Sequence, residues 1–181
     1  MNTSRVLHVL VTFCLAVALT ACAPTRTQKS LGERVDDTIV LGKVKAALVR
    51  EPDTKALQIN VEVFRGIVQL NGFVVSKVEQ ARAAAVARGV EGVEKVHNNL
   101  VIDKQRDTLG SEIDDTAITA KVKAALSESS ETSAMRIHVQ TANKAVLLGG
   151  FANSRAEKDA AARVARSVNG VRSVLNKIDV K

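Results

Sequence analysis

The stretch Asp36-Asp37-Thr38, followed by Lys43-Val44-Lys45-Ala46-Ala47-Leu48, returns 78 residues later as Asp114-Asp115-Thr116 and Lys121-Val122-Lys123-Ala124-Ala125-Leu126. With that offset held and no gap, roughly 29 of the 67 positions from Asp36 to Ile102 are identical, the mark of a tandem duplication. Spacing then gives one unit written twice, at 32–103 and 111–181, joined through the polar Lys104-Gln105-Arg106-Asp107 in a connector from Asp103 to Gly110. The 181-residue chain, 46% hydrophobic and 25% charged, has a globular composition that excludes a disordered or collagen-like polypeptide.

Each copy carries the same succession of signals. Asp36 or Asp37 stands where a helix cap belongs, ahead of Val40, Val44, Ala47 and Leu48 at helical spacing, with Pro52 beyond the end. Ile118, Val122, Ala125 and Leu126 repeat that stripe. Ile59, Val61 and Val63 alternate with polar residues, Arg65-Gly66 makes a turn, and Ile67 to Leu70 opens a second apolar run, which together predict a hairpin. Ser76 with Glu79, and Ser154 with Glu157, are capping boxes opening Ala-rich helices that end before Gly92 and Gly170. Val93–Ile102 and Val171–Val180 read as closing strands. The prediction is an α+β fold: two tandem αββαβ domains, each a small three-stranded sheet covered by two helices.

Before the repeats, Val6 to Leu19 forms an apolar run behind the single cation Arg5, too short to span a bilayer and suited to an export signal. Leu19-Thr20-Ala21-Cys22 resembles a lipobox, which implies a signal peptide at 1–21 and a Cys22 carrying diacylglycerol and an N-acyl chain. Ala23 at the next position, rather than Asp, implies sorting to the outer membrane. Several acyl chains hold a protein stably on a bilayer where one does not. Residues 22–31 are polar, lack periodicity and read as a tether. Cys14 falls within the signal, so the mature chain keeps a single Cys.

The repeat resembles the BON domain. The residues that carry the likeness run from Phe64-Arg65-Gly66-Ile67 through Gly72-Phe73, then Ser76 and Glu79, then Val90-Glu91-Gly92-Val93 through Asn98. In the second copy they are Val146 through Phe151 and Val168-Asn169-Gly170-Val171 through Asn176, with Asn143-Lys144 where the first turn has Arg65-Gly66. The resemblance implies a non-enzymatic lipoprotein on the periplasmic face of the outer membrane, supporting envelope integrity. It further implies that the first helix of the second domain meets anionic phospholipid through Ala117, Ile118, Lys121 and Lys123.

The residues themselves offer little catalytic chemistry. The Asp pairs stand at helix starts without an accompanying base, so capping explains them. Two Cys and three His are too few and too scattered for zinc, and His97 and His138, at non-equivalent strand positions, read as exposed. No phosphate-loop pattern occurs, and Gly72, Gly92, Gly150 and Gly170 suit turns and helix ends. The expectation is no enzyme, no metal and no cofactor beyond the lipid on Cys22. Export and the absence of Trp and Tyr argue against a nucleic-acid partner.

Charge separates the copies. From Ser30 to Asp107 there are twelve basic and eleven acidic residues, and from Thr108 to Lys181 eleven and eight. The second domain is the more basic, and Arg155, Arg163 and Arg166 on its second helix form a secondary basic face. The rival expectation is a periplasmic chaperone or adaptor whose sheet edge, at Ile59–Val63 or Ile137–Thr141, accepts a strand from an envelope protein.

Overall fold

The structure is a computed structural model that describes residues 31–104 and 109–181. The proposed signal peptide, Cys22 and the tether through Ser30 lie outside the described residues, while Leu31, taken as the last tether residue, opens a helix.

The first repeat runs α1 Leu31–Arg50, β1 Ile59–Phe64, β2 Ile67–Val74, α2 Lys77–Arg88 and β3 Lys95–Ile102. The second runs α3 Leu109–Glu128, β4 Ile137–Ala142, β5 Ala145–Ala152, α4 Arg155–Ser167, β6 Ser173–Asn176 and β7 Asp179–Val180. Short 3-10 turns at Ala56–Gln58 and Ala134–Arg136 precede β1 and β4. In each sheet the hairpin is antiparallel and the closing strand lies parallel to the central one, so β1 and β4 are edge strands. The expected αββαβ order holds twice, with one correction. The second closing strand splits at Lys177-Ile178, where the Lys177 N–H binds Leu148 O and Ile178 is fully buried, and β7 resumes beside β5.

Helical spacing puts Val40, Val44 and Leu48 of α1 on one face. They pack with Ala83, Ala84 and Ala87 of α2 over Ile59, Val61, Val68, Leu70 and Val74. The second repeat builds the same core from Ile118, Val122, Leu126, Ala161 and Ala165 over Val139, Val146 and Leu148. Alanines let these short helices lie close to the sheet without overfilling a small core.

The alternate residues of β2 and β5 point the other way, and there the two sheets meet. Phe73 packs with Ala142 and Leu147, while Phe64 meets Phe151 at 5.3 Å between ring centroids. Since Ala142 is the repeat equivalent of Phe64 and Phe151 that of Phe73, the contacts exchange as they do about a twofold axis. Asn71 and its equivalent Gly149 lie on that axis, and a Cβ at Gly149 would strike the Asn71 side chain. Only one of the two positions can carry a side chain. Gln69 spans the junction, its Nε2 donating to Gly150 O (3.0 Å) and Asp179 Oδ2 (2.6 Å) while its Oε1 accepts from Gly150 N (2.8 Å). The body is thus four layers: helices, sheet, sheet, helices.

Candidate functional site

The Asp pairs do not cap helix starts, because α1 begins at Leu31 and α3 at Leu109, several residues upstream. Asp37 instead reaches across to the hairpin, accepting the N–H groups of Arg65 (2.9 Å) and Gly66 (3.0 Å). Asp115 does the same for Asn143 (2.7 Å) and Lys144 (2.8 Å). Both turns place two successive residues at positive φ, as a tight hairpin demands, including Lys144 at +64°. Ser76 and Ser154 cap α2 and α4 as expected, accepting from Glu79 N and Glu157 N. The carboxylates of Glu79 and Glu157 then turn back to hold Lys55 N and Val75 N, or Ser133 N and Asn153 N. All four buried carboxylates are therefore occupied by backbone, a structural task.

Fixing each hairpin turn against its first helix leaves a groove between that helix, the turn and the loop after the second helix. In the first domain it measures about 570 Å³ and is lined by Asp36, Ile39, Lys43, Arg65, Glu91 and Glu94 among others. Lys43 donates to Glu91 (2.8 Å) and holds that carboxyl below its ordinary value. In the second domain the equivalent groove, about 220 Å³, is lined by Asp114, Ala117, Ile118, Lys121, Lys144, Asn169 and Gly170. Five repeat positions change its character. Ile39 becomes Ala117, Arg65 becomes Asn143, Gly66 becomes Lys144, Glu91 becomes Asn169 and Glu94 becomes Arg172, whose N–H binds Lys144 O at 2.8 Å. Lys121 thus lacks the carboxylate that neutralises Lys43, and a mouth that is acidic in the first domain is basic in the second.

Of the candidate residues, Ala117 and Lys121 lie exposed along this groove. Ile118 lines it too, but is only 5% exposed and belongs to the core beneath Gly170. Lys123 is exposed on a different side of α3, where its charge is felt at His138. Lys144, the groove's other lining cation, and Arg172, whose N–H ties the adjoining loop to Lys144 O, escape a motif reading because they come from a turn and a loop. The repeat offset exposes them. On α4, Arg155 and Arg166 are exposed, while Arg163 pairs with Glu131 at 2.6 Å and lines a separate polar groove with Arg136, Glu157 and Asp159.

Two further expectations need correction. His97 and His138 are half-buried, since the unpatterned face of each sheet is covered by the other sheet. His97 meets Asp179 across the junction, and burial, with Lys123 and Lys45 nearby, pushes His138 down to about 4. Gly72 and Gly150 sit within β2 and β5 rather than in turns, at positive φ where a Cβ would strike Gln58 O or Arg136 O. Among the described residues no group of three or more metal-ligating side chains occurs, and no helix is long and apolar enough to cross a membrane.

Comparison with known proteins bears on both repeats. The BON domain profile matches residues 36–104 and 114–181. The chain is similar to osmotically-inducible protein Y of Escherichia coli strain K12, 35% identical over 156 residues that cover 86% of this chain and 78% of that one. It is similar to outer membrane lipoprotein DolP of Haemophilus influenzae, 31% identical over 162 residues, covering 88% and 81%. A 21 kDa hemolysin of Actinobacillus pleuropneumoniae is 34% identical over 152 residues, covering 83% and 77%.

Proposed function

The chain belongs to the BON-domain family, and from that premise we propose that it is a non-enzymatic envelope lipoprotein, held on the periplasmic face of the outer membrane by Cys22. On this reading its second domain binds anionic phospholipid and so supports envelope integrity. One observation carries the lipid claim: the groove common to both domains is lined by Lys121 and Lys144 in the second, with exposed Arg172 on the loop beside it, where the first has Lys43 tied to Glu91, then Arg65, Gly66 and Glu94. Each cation near an anionic surface contributes about 1 kcal/mol, so with Lys144 offset by Asp114 and Arg65 present in the first groove, the remaining excess favours the second domain by roughly tenfold at low salt. Acyl chains on Cys22 would confine the protein to the surface and raise the local lipid concentration further. The Leu19-Thr20-Ala21-Cys22 motif and the similarity to an outer membrane lipoprotein support the location.

The test is flotation of the mature chain from Ala23, without acyl groups, on phosphatidylcholine vesicles with and without phosphatidylglycerol. Binding is expected only with the anionic lipid, falling with salt and lost in Lys121→Glu/Arg172→Glu. Equal flotation on both vesicles would refute the reading. A second reading has its own support, because β1 and β4 are edge strands, the position at which a sheet accepts a strand from another protein. Suppression of client aggregation without vesicle binding would favour that chaperone or adaptor role.

A further inference from the structure

Resting on the lipid reading above, we propose that the bilayer contact extends beyond the second domain: Leu57 and Val78 of the first domain complete the surface, as apolar side chains that enter the membrane beside the basic groove. The argument begins with exposure. Leu57 is 100% exposed and Val78 is 71% exposed, two of seven large apolar side chains, with Ile39, Val49, Ile113, Met135 and Val180, that stand exposed among the described residues. Single exposed apolar side chains are ordinary, whereas several gathered at one end of a body and rimmed by polar groups mark a contact surface.

The topology brings these residues to the groove. Because β2 and β5 cross in opposite directions about the twofold, the start of β1 lies at the same end of the body as the β4–β5 turn. Gln140, just before that turn, donates to Gln58 O (3.4 Å), the residue after Leu57. Asn143, in the turn, donates to Asp103 (2.7 Å) at the end of β3. Val78 joins Leu57 through its neighbour Glu79, which holds the Lys55 N–H at 2.9 Å. The same end carries exposed Ile113 near the start of α3 and exposed Val49 near the end of α1. Exposed Arg50, Lys55, Lys77 and Lys104 surround them, against Asp53, Asp114 and a Glu51 already paired with Arg82.

Charge selects the occupant. Apolar residues ringed by cations suit an anionic phospholipid surface, where the rings of charge meet headgroups and the tips enter the acyl boundary. The opposite end provides the internal control. Met135, the repeat equivalent of Leu57, is equally exposed, but it lies beside the first domain's acidic groove: Arg136 O abuts Gly150, and Phe151 packs on Phe64 next to the Arg65 turn. Bulk and exposure are matched there, while the exposed cations of that end, Arg65 and Arg155, are offset by the exposed carboxylates Asp36, Glu91 and Glu94.

The experiment uses the mature, unacylated chain on equimolar phosphatidylglycerol and phosphatidylcholine vesicles, comparing Leu57→Ser/Val78→Ser, Met135→Ser and Lys121→Glu. Exposure, complete at Leu57 and Met135 and 71% at Val78, makes the apolar substitutions mild for folding, which circular dichroism verifies. The double variant should lose about tenfold in partitioning, and Met135→Ser should match the parent. Parent-like binding by the double variant overturns the proposal, as does an equal loss in Met135→Ser. Loss in Lys121→Glu alone leaves the groove reading standing and sinks only this extension. If the parent itself fails to partition, both fall, and a Leu57-dependent effect confined to client aggregation likewise overturns it.

Discussion

Lys144 holds a left-handed backbone at φ +64°, in a turn position where the first repeat uses Gly66 at φ +71°. A side chain there costs roughly 1 kcal/mol, and its exposed pairing with Asp114 at 3.6 Å returns little. Lys144→Gly should therefore stabilise the fold by about 0.5 kcal/mol, read as a higher midpoint in urea, while weakening vesicle binding. A stability loss would show the turn to be unstrained. His138 supplies a second residue-scale test. Its folded value of about 4 lies below the ordinary 6.5, so in that window the unfolded chain binds a proton that the folded chain does not. Stability attributable to this group is then complete above pH 6.5 and is lost as pH falls toward 4. Discounted for partial exposure, the loss is about 1 kcal/mol. His138→Asn, which installs the residue found at the equivalent Asn60, should remove that part of the pH dependence in urea titrations. An unchanged slope would rule it out. Sequence alone showed that Lys144 stands where the first turn has Gly66, and it placed His138 on a strand, but the sheet face that buries His138 was not legible.

At the scale of elements, local signals read well because local chemistry generates them. The capping boxes, the helical stripes and the hairpins form where Ser76, Val44 and Val61 predicted. What misled was sequence proximity: Asp37 stands near the start of a helix, yet its partners are the N–H groups of Arg65 and Gly66, 28 and 29 residues on. The groove followed the same rule. Ala117 and Lys121 were visible on a helix face, whereas Lys144 joins them, with Arg172 bonded to its carbonyl, only when the chain folds back. Glu79 shows how an element is tied to its surroundings, since it is 4% exposed and both its oxygens accept backbone N–H groups. Glu79→Gln keeps the size but offers one acceptor oxygen, so one buried donor loses its partner at a cost of about 1–2 kcal/mol. Faster hydrogen exchange should follow at Lys55 or Val75, the donors concerned, with α2 itself little changed. Exchange quickened uniformly across the first domain would mean that the carboxylate supports the whole core instead.

The whole molecule is held by a junction that the duplication signal did not reveal, although one clue was present. Ile67 to Leu70 and Val146 to Leu148 are nearly continuous apolar runs, and a strand with one wet face would alternate. Each central strand is covered on both sides, by its own helices and by the other repeat. Separating the repeats would expose Phe73, 2% exposed, and Leu147, 1% exposed, together with the buried amides of Gln69 and Asn71. Two domains sharing that surface should unfold together, in one thermal transition seen alike by far-ultraviolet dichroism and by a probe in either repeat. Gln69→Ala removes both contacts to Gly150 and strands its N–H inside the junction, at about 2 kcal/mol. Phe73→Ser removes the adjoining apolar contact without touching either helix-covered core. The double variant should therefore split the transition in two and raise exchange along β2 and β5, leaving each helix-covered core intact. Because the proposed membrane surface draws Leu57 from one repeat and Lys121 from the other, the same variant should also lose vesicle affinity. It would do so with every residue of that surface still in place. Two transitions in the parent, or undiminished vesicle binding by a variant whose repeats have come apart, would show that the domains act singly.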